Sequence, residues 1–338
     1  MKSAIEKLNT ERVIQWPDFF SIISTELEIL EENLVVKLPV KNKFLKEVIS
    51  YIFLSGGKRF RPAISLLIAK ATGGIKDKHI TVSEITELIH TASLIHDDII
   101  DSAKLRRGKE TINSLWNDKI SVIAGDFLFG QASVKLGELE NTEIVKIYAH
   151  VLSNLCDGEI EQYSLLFNPG ITLENYIHKS TAKTASLFAA CCKSSAMLNN
   201  QDSKIIKQCN DFGLSLGIAF QVVDDILDFT SSSNESGKDV CSDLKNGLIT
   251  APALFALTST DERAKQVKIL IENRFNNHEK DFDKAIRLIF ELGGCEKARQ
   301  LAINYIERAK ENLNFIKESD IRRYLIIVAE SVIEKIKI

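Results

Sequence analysis

Two segments of the chain carry aspartates at one spacing, and that spacing suits a hard divalent cation. The first is Leu94-Ile95-His96-Asp97-Asp98-Ile99-Ile100-Asp101 and the second is Phe220-Gln221-Val222-Val223-Asp224-Asp225-Ile226-Leu227-Asp228. At about 100° per residue, Asp97 and Asp101 fall one helical turn apart on one face, with Ser93 and His90 in the turns before. Asp224 and Asp228 fall the same way, with Gln221 beside them and Gly217 and Gly213 continuing the face toward the N-terminus. Aspartate is a poor helix-interior residue, and its unpaired charge is costly to bury, so apolar neighbours on both sides need an explanation. Carboxylates at i and i+4 are oxygen ligands of the kind Mg²⁺ takes one or two of, the rest of its shell coming from water and substrate phosphate. Two such helices facing each other would clamp a diphosphate. A lone D-D-x-x-D reads more readily as an exposed acidic turn; two, both set among apolar residues, favour the metal.

Cations stand near both acidic segments. Gly56-Gly57-Lys58-Arg59-Phe60-Arg61-Pro62 joins two glycines and three cations to a proline suited to the first turn of a helix. A helix N-terminus reached by a flexible loop binds anions, and Lys58 and Arg61 add full charges to the dipole. The G-K-[ST] of a Walker A loop is absent. Lys104-Leu105-Arg106-Arg107-Gly108 follows closely on Asp101 and either neutralises it on the surface or grips phosphate oxygens bidentately. Lys179-Ser180-Thr181-Ala182-Lys183-Thr184-Ala185-Ser186 is a polar stretch before Leu187-Phe188-Ala189-Ala190, and taken alone it could be a helix start capped by Ser or Thr. The run Asn234–Asp239, with Lys238, and then Asp243-Leu244-Lys245 add charge beside the second acidic segment, as a lid or as a plain connection.

The elements that must position these residues are helical. Of 338 residues 45% are apolar and 26% charged, which is globular composition. Only five prolines occur, at 17, 39, 62, 169 and 252, leaving long intervals rich in Leu, Ile, Ala, Lys and Glu. Ile85, Leu88, Ile89, Ala92 and Ile95–Ile99 recur at helical spacing, as do Leu214, Ile218, Val222 and Ile226. Breaks are expected at Gly73-Gly74, Asn168-Pro169-Gly170, Asn199-Asn200, Thr230–Lys238 and Asn276-Asn277-His278. Residues 1–40 are expected as a loosely attached N-terminal helical extension, with Pro39 as the break. Residues 41–338 show no linker and are expected as one large all-α domain. Lys and Arg total 43 against 46 Asp and Glu, a net charge of −3, so no overall field gathers nucleic acid. Six cysteines without C-x-x-C form neither a zinc pattern nor a disulfide framework. No signal peptide, transit peptide or membrane span is read, so a soluble protein is expected.

Taken in order, GGKRFRP, IHTASLIHDDIIDSAKLRRGKET, AGDFLFGQA, the KTA segment, GIAFQVVDDILDFT and GKDVCSDLKNGLITAPALFAL resemble the trans-isoprenyl diphosphate synthases, also called polyprenyl synthetases. The resemblance runs from about residue 41 to the C-terminus. It implies a single large helical bundle around a central active-site cavity, the type I isoprenoid synthase fold, and a homodimer. It implies a prenyltransferase that condenses isopentenyl diphosphate head to tail with an allylic diphosphate, using three Mg²⁺ ions per active site. Carried over by residue, Lys58, Arg61, His90 and Arg107 would hold isopentenyl diphosphate and Arg106 the allylic diphosphate. Asp97 and Asp101 would bind two ions, and Asp224 the third, with Asp228 nearby. Lys183, Thr184, Gln221 and Lys238 would line the leaving group and the developing cation.

Within the family, short-chain members place an aromatic ring four or five residues before the first aspartate, or insert residues in the motif. Here those positions hold Ser93 and Ala92. The sequence is most similar to the long-chain, solanesyl-type enzymes of cyanobacteria and plastids that supply quinone side chains, which implies a product of forty to forty-five carbons. The implied location is a bacterial cytoplasm or a plastid stroma, with peripheral membrane association aiding release of a lipophilic product. The alternatives weighed are a short- or medium-chain synthase, a terpene cyclase, a head-to-head synthase and a helical scaffold. The second motif is not N-D-x-x-S-x-x-x-E, paired D-x-x-E-D motifs are lacking, and a scaffold leaves GGKRFRP and Arg106-Arg107 unexplained.

Overall fold

Leucine, isoleucine and alanine at helical spacing, with Pro62 and Pro252 in first helical turns and Pro39 and Pro169 in breaks, fold most of the described residues into α-helix. The computed structural model describes residues 18–336 except 107, 231–240, 278 and 318. Among them the only strands are the two-residue pair Leu105–Arg106 and Lys109–Glu110, so the expected all-α class is the one adopted. Of the expected breaks, Gly73-Gly74, 168–170, 199–200 and 276–277 lie between helices, while 231–238 and His278 fall outside the described residues. No helix among the described residues is long and apolar enough to cross a membrane.

Contacts divide the chain into two compact units, each drawn from three stretches. The first unit takes residues 1–147, 191–209 and 316–325. Its helices include α1 (Ser24–Val35), α2 (Lys43–Leu54), α3 (Phe60–Ala71), α4 (Asp77–Ile100), α5 (Ile112–Leu115) and α6 (Asp118–Glu138). Helix α4 is the axis: α1, α3 and α6 pack on it, and Ile85, Leu88, Ile89 and Ala92 are fully buried along it. Helix α1 is not loosely attached. Leu27 and Leu30 are fully buried and Leu34 almost so, and each such leucine contributes about 2 kcal/mol of burial. After α4 the chain turns through the short hairpin, where Gly108 takes a φ of +73° that a side chain would resist.

The second unit takes residues 148–190, 210–315 and 326–338. It comprises the later part of α7 (Thr142–Ser164), α8 (Leu173–Ser180), the start of α9 (Ser186–Leu198), most of α10 (Ser203–Thr230), and α11 (Ser242–Lys245) through α15 (Gly294–Glu311). Between α8 and α9 the segment Thr181–Ala185 is a single π turn, not a capped helix start. Its core gathers Tyr176, Ala185, Phe188, Phe212, Ala219, Val222 and Ile226, all fully buried. Gly213 and Gly217 are explained here: a β-carbon on Gly217 would sit 2.5 Å from Ala185 Cα, and one on Gly213 2.5 Å from the Phe188 carbonyl oxygen. Only glycine lets α10 lie this close to the π turn and α9.

Candidate active site

In the first unit, the loop between α2 and α3 and the C-terminal half of α4 bring several expected residues together. Arg61, in the first turn of α3, lies with Nη1 3.0 Å from His90 Nε2, and Lys58 is exposed on the loop before it. Arg59 behaves differently from its two neighbours. Its backbone is left-handed at φ 45°, ψ 37°, and its guanidinium turns inward to Glu31, to Glu87 Oε1 at 2.8 Å and to the Phe53 carbonyl at 3.4 Å. Of three cations in the motif, one is therefore structural.

At the end of α4 the three aspartates also separate. Asp97 is half-buried and Asp101, in the cap position just past the helix, is exposed, so both face water. Asp98, rotated by one residue, is buried and accepts from Arg106 through Nε at 2.8 Å and Nη2 at 2.7 Å. Asn113 Nδ2 donates to the carbonyls of Asp98 and Ala103 at 3.3 and 3.1 Å, fastening the hairpin to the helix end. Arg106 thus stands beside the acidic segment with its guanidinium paired to Asp98. Arg107 lies outside the described residues. A recess in this region is lined by His90, Thr91, Asp98 and Arg106 together with Tyr51, Phe53 and Ile112.

The second unit repeats the pattern. Asp224 is exposed and Asp228 half-buried, whereas Asp225 is buried and accepts from Tyr176 Oη at 2.6 Å, Gln221 Nε2 at 2.8 Å and the Ala251 amide at 3.1 Å. Burial pushes the Asp225 carboxyl up, and Lys179 beside it pulls it back down. Lys179 is itself buried, which lowers it, and the Asp225 charge opposes that. Thr184 Oγ1 donates to Gln221 Oε1 at 2.6 Å, so the Gln221 amide is fixed at both ends. Lys183, on the π turn, pairs with Glu159 and donates to Gln162 Oε1 at 3.2 Å. Asp228 accepts from the Ser242 amide and hydroxyl, each at 3.1 Å, and from the Asp243 amide at 3.3 Å, which holds the start of α11. Lys238 lies outside the described residues.

Within each unit the candidate ligands, Asp97 and Asp101 in the first and Asp224 and Asp228 in the second, are oxygen donors of the kind Mg²⁺ takes in preference to a softer metal, and no group of three or more such side chains is gathered among the described residues. Burial and the nearby Asp243 charge push the Asp228 carboxyl up to about 6, a repulsion that a cation alongside would relieve. Sequence reasoning missed Arg59, Asp98, Asp225, Tyr176, Lys179 and Glu159. The signal available for the middle aspartates was angular: Asp98 and Asp225 each stand 100° off the face shared by the flanking pair. A π turn at the KTA segment has no sequence signal of comparable clarity, although such turns concentrate at functional positions.

Comparison with known proteins gives one answer. The polyprenyl synthetase family profile matches residues 42–289. Solanesyl diphosphate synthase 2, chloroplastic, from Arabidopsis thaliana is 40% identical over 322 residues, covering 94% of this chain and 76% of the relative. The crystal structure of a decaprenyl diphosphate synthase from Rhodobacter capsulatus superposes with a TM-score of 0.87 at 28% identity, covering 94% of this chain and 98% of that one. A polyprenyl synthase from Caulobacter crescentus, crystallised with calcium and isoprenyl diphosphate, gives 0.87 at 28% identity over 93% and 96% of the two chains.

Proposed function

Because the chain belongs to the polyprenyl synthetase family, we propose that it condenses isopentenyl diphosphate head to tail with an allylic diphosphate, building a long all-trans polyprenyl diphosphate for quinone side chains. The observation that carries this is the shared split of the two acidic motifs. In each, the protein consumes the middle aspartate in its own bonding and leaves the first more exposed; the fifth is exposed in the first motif, while Asp228 in the second is half-buried and also holds the start of α11. A merely structural acidic turn has no reason to bury the second of its aspartates, and keep the first at the surface, in both places.

Ionising an allylic diphosphate separates a carbocation from a diphosphate anion. Asp97 and Asp101, and Asp224 with Asp228 nearby, would hold the Mg²⁺ ions, which would supply the positive charge that the departing diphosphate needs. Arg106, oriented by Asp98, grips the allylic diphosphate, and Lys58, Arg61, His90 and Arg107 hold the isopentenyl diphosphate. Lys183 and Lys238 meet the leaving group, Lys183 exchanging its hold on Glu159 for phosphate oxygen. Since the Thr184 hydroxyl hydrogen is given to Gln221, the oxygen's lone pairs are oriented away from that bond and can face the cation, stabilising its charge without adding to it. No side chain serves as base for the final proton loss; the departing diphosphate takes it. A catalytic domain at residues 41–338, preceded by a 1–40 extension, three ions per site and a plastid or bacterial cytoplasmic location complete the proposal.

Product length follows from the small residues before Asp97. Ala92 is fully buried and Ser93 half-buried, neither presenting a ring to a growing chain, and the long-chain relative supports roughly forty to forty-five carbons. A homodimer is proposed through α6, where Val122, Ile123 and Val134 are 43, 54 and 56% exposed. The test of the chemistry is incorporation of labelled isopentenyl diphosphate by purified protein with Mg²⁺ and farnesyl diphosphate. The parent turns over and Asp97→Ala and Asp224→Ala do not; a parent without incorporation, or an Asp97→Ala variant as active as the parent, contradicts the proposal.

A further inference from the structure

We propose that Glu31 of α1 and Glu87 of α4, acting through Arg59, are positioning residues for capture of isopentenyl diphosphate. The inference rests on the proposed roles of Lys58, Arg61 and His90. Arg59 stands between two of the proposed phosphate cations, yet it is only 4% exposed. Its Nε reaches Glu31, its Nη1 reaches Glu87 Oε1 at 2.8 Å, and its Nη2 lies 3.4 Å from the carbonyl of Phe53, at the end of the helix the loop has just left. The guanidinium carbon is 5.8 Å from the centroid of the Phe53 ring. One side chain thereby ties the loop to three helices.

The backbone supplies the reason such a tie is needed. Arg59 is left-handed, and for a residue with a β-carbon that state persists only where the surroundings over-determine it. Its carbonyl accepts from the Ala63 amide at 2.9 Å, so this strained residue also starts α3 and sets where Arg61 begins. Glu87 stands three residues before His90 on α4. The bonds Arg59–Glu87 and Arg61–His90 therefore join the end of the loop and the first turn of α3 to the same helix, the first buried in the core and the second half-buried at the proposed isopentenyl diphosphate site.

Glu31 enters from α1, a helix that contributes no residue to the proposed chemistry. That helix is fixed to α4 a second time, by Asn33 donating to Glu84, whose other oxygen pairs with Lys135 at 2.6 Å. An apolar cluster could fill the same core without loss of stability. What the planar guanidinium adds is direction, because its fork meets both carboxylates at once in a way that a lysine ammonium cannot.

The experiment measures KM for each substrate separately, together with thermal melting, in Glu31→Gln, Arg59→Lys and the control Arg61→Ala. Displacement of a binding loop with intact chemistry raises KM for isopentenyl diphosphate about tenfold or more in Glu31→Gln and Arg59→Lys. KM for the allylic diphosphate stays within about twofold of the parent, and melting remains cooperative. If Arg61→Ala raises KM for isopentenyl diphosphate and the other two variants leave it unchanged, the positioning role is wrong. A rise in both KM values together, or loss of fold in both variants, assigns the triad to folding and likewise overturns it. If Arg61→Ala itself leaves KM for isopentenyl diphosphate unchanged, the site assignment beneath the inference has failed instead.

Discussion

Asp224 and Asp225 are adjacent and chemically identical, yet replacing each with alanine should do opposite things. Asp225→Ala removes the acceptor of three donors, the Tyr176 hydroxyl, the Gln221 amide nitrogen and the Ala251 backbone amide, at 2.6, 2.8 and 3.1 Å. It also leaves Lys179 buried without its counter-charge. Breaking one partner out of a buried charged cluster costs about 3–5 kcal/mol. Unfolding entropy of about 2.1 cal/mol/K per residue gives about 0.7 kcal/mol per degree for a chain of 338 residues, so a loss of about 4 kcal/mol lowers the melting midpoint by about 6 °C. Tyr176→Phe removes one of the three donors and should cost about 1.5–3 kcal/mol, or about 2–4 °C. Asp224 is exposed, and its alanine variant should melt within about 1 °C of the parent while losing turnover. Scanning calorimetry on the three variants, with turnover on the same samples, reads both quantities. An Asp225→Ala midpoint within 1 °C of that of Asp224→Ala would refute the division of labour within the motif.

Chelation with EDTA should abolish turnover and added Mg²⁺ restore it, with no loss of helical circular dichroism; turnover that persists in chelator contradicts the all-oxygen metal assignment. Gly217→Ala places a β-carbon 2.5 Å from Ala185 Cα, an overpacking cost of about 1–3 kcal/mol. Because Ala185 adjoins Thr184, kcat should fall as well, and a variant with parental melting and kcat would show that the helices are free to separate. Iodoacetamide at pH 8 should label Cys156, which is exposed, and spare the five buried thiols in the folded protein. Burial holds Cys209 up at about 12 and Cys295 at about 11, so intact mass should show a single adduct.

Much of this was legible in the chain itself, because helices announce themselves through period and proline placement. Ile85, Leu88, Ile89 and Ala92 mark the buried stripe of α4 by spacing alone. Ile218, Val222 and Ile226 do so for α10, although Leu214 at the start of that stripe is only half-buried. The pairs Asp97/Asp101 and Asp224/Asp228 were equally readable, since i and i+4 share a face whatever surrounds them. What could not be read was which charge turns inward. Lys58, Arg59 and Arg61 are alike as letters, and only Glu31, 28 residues away, and Glu87, 28 residues on, make Arg59 the structural one. Such partners are set by how helices pack, which local spacing does not encode. The same holds for α1: Pro39 marks a true break, but a break in the helix says nothing of how firmly the helix before it is held. The π turn at Thr181–Ala185 and the Glu159–Lys183 pair depend on the approach of α7 and α8, and they too arise only in three dimensions.

The central claim is that this chain extends an allylic diphosphate repeatedly past an unblocked first acidic motif. Purified protein incubated with Mg²⁺, labelled isopentenyl diphosphate and geranylgeranyl diphosphate, followed by chromatography of the dephosphorylated products, tests it in one step. The account predicts a ladder ending near forty to forty-five carbons, and a Ser93→Phe variant whose ladder stops earlier. A parent product that stops at fifteen or twenty carbons would contradict the open path beyond Ala92 and Ser93, and no elongation at all would contradict the chemistry.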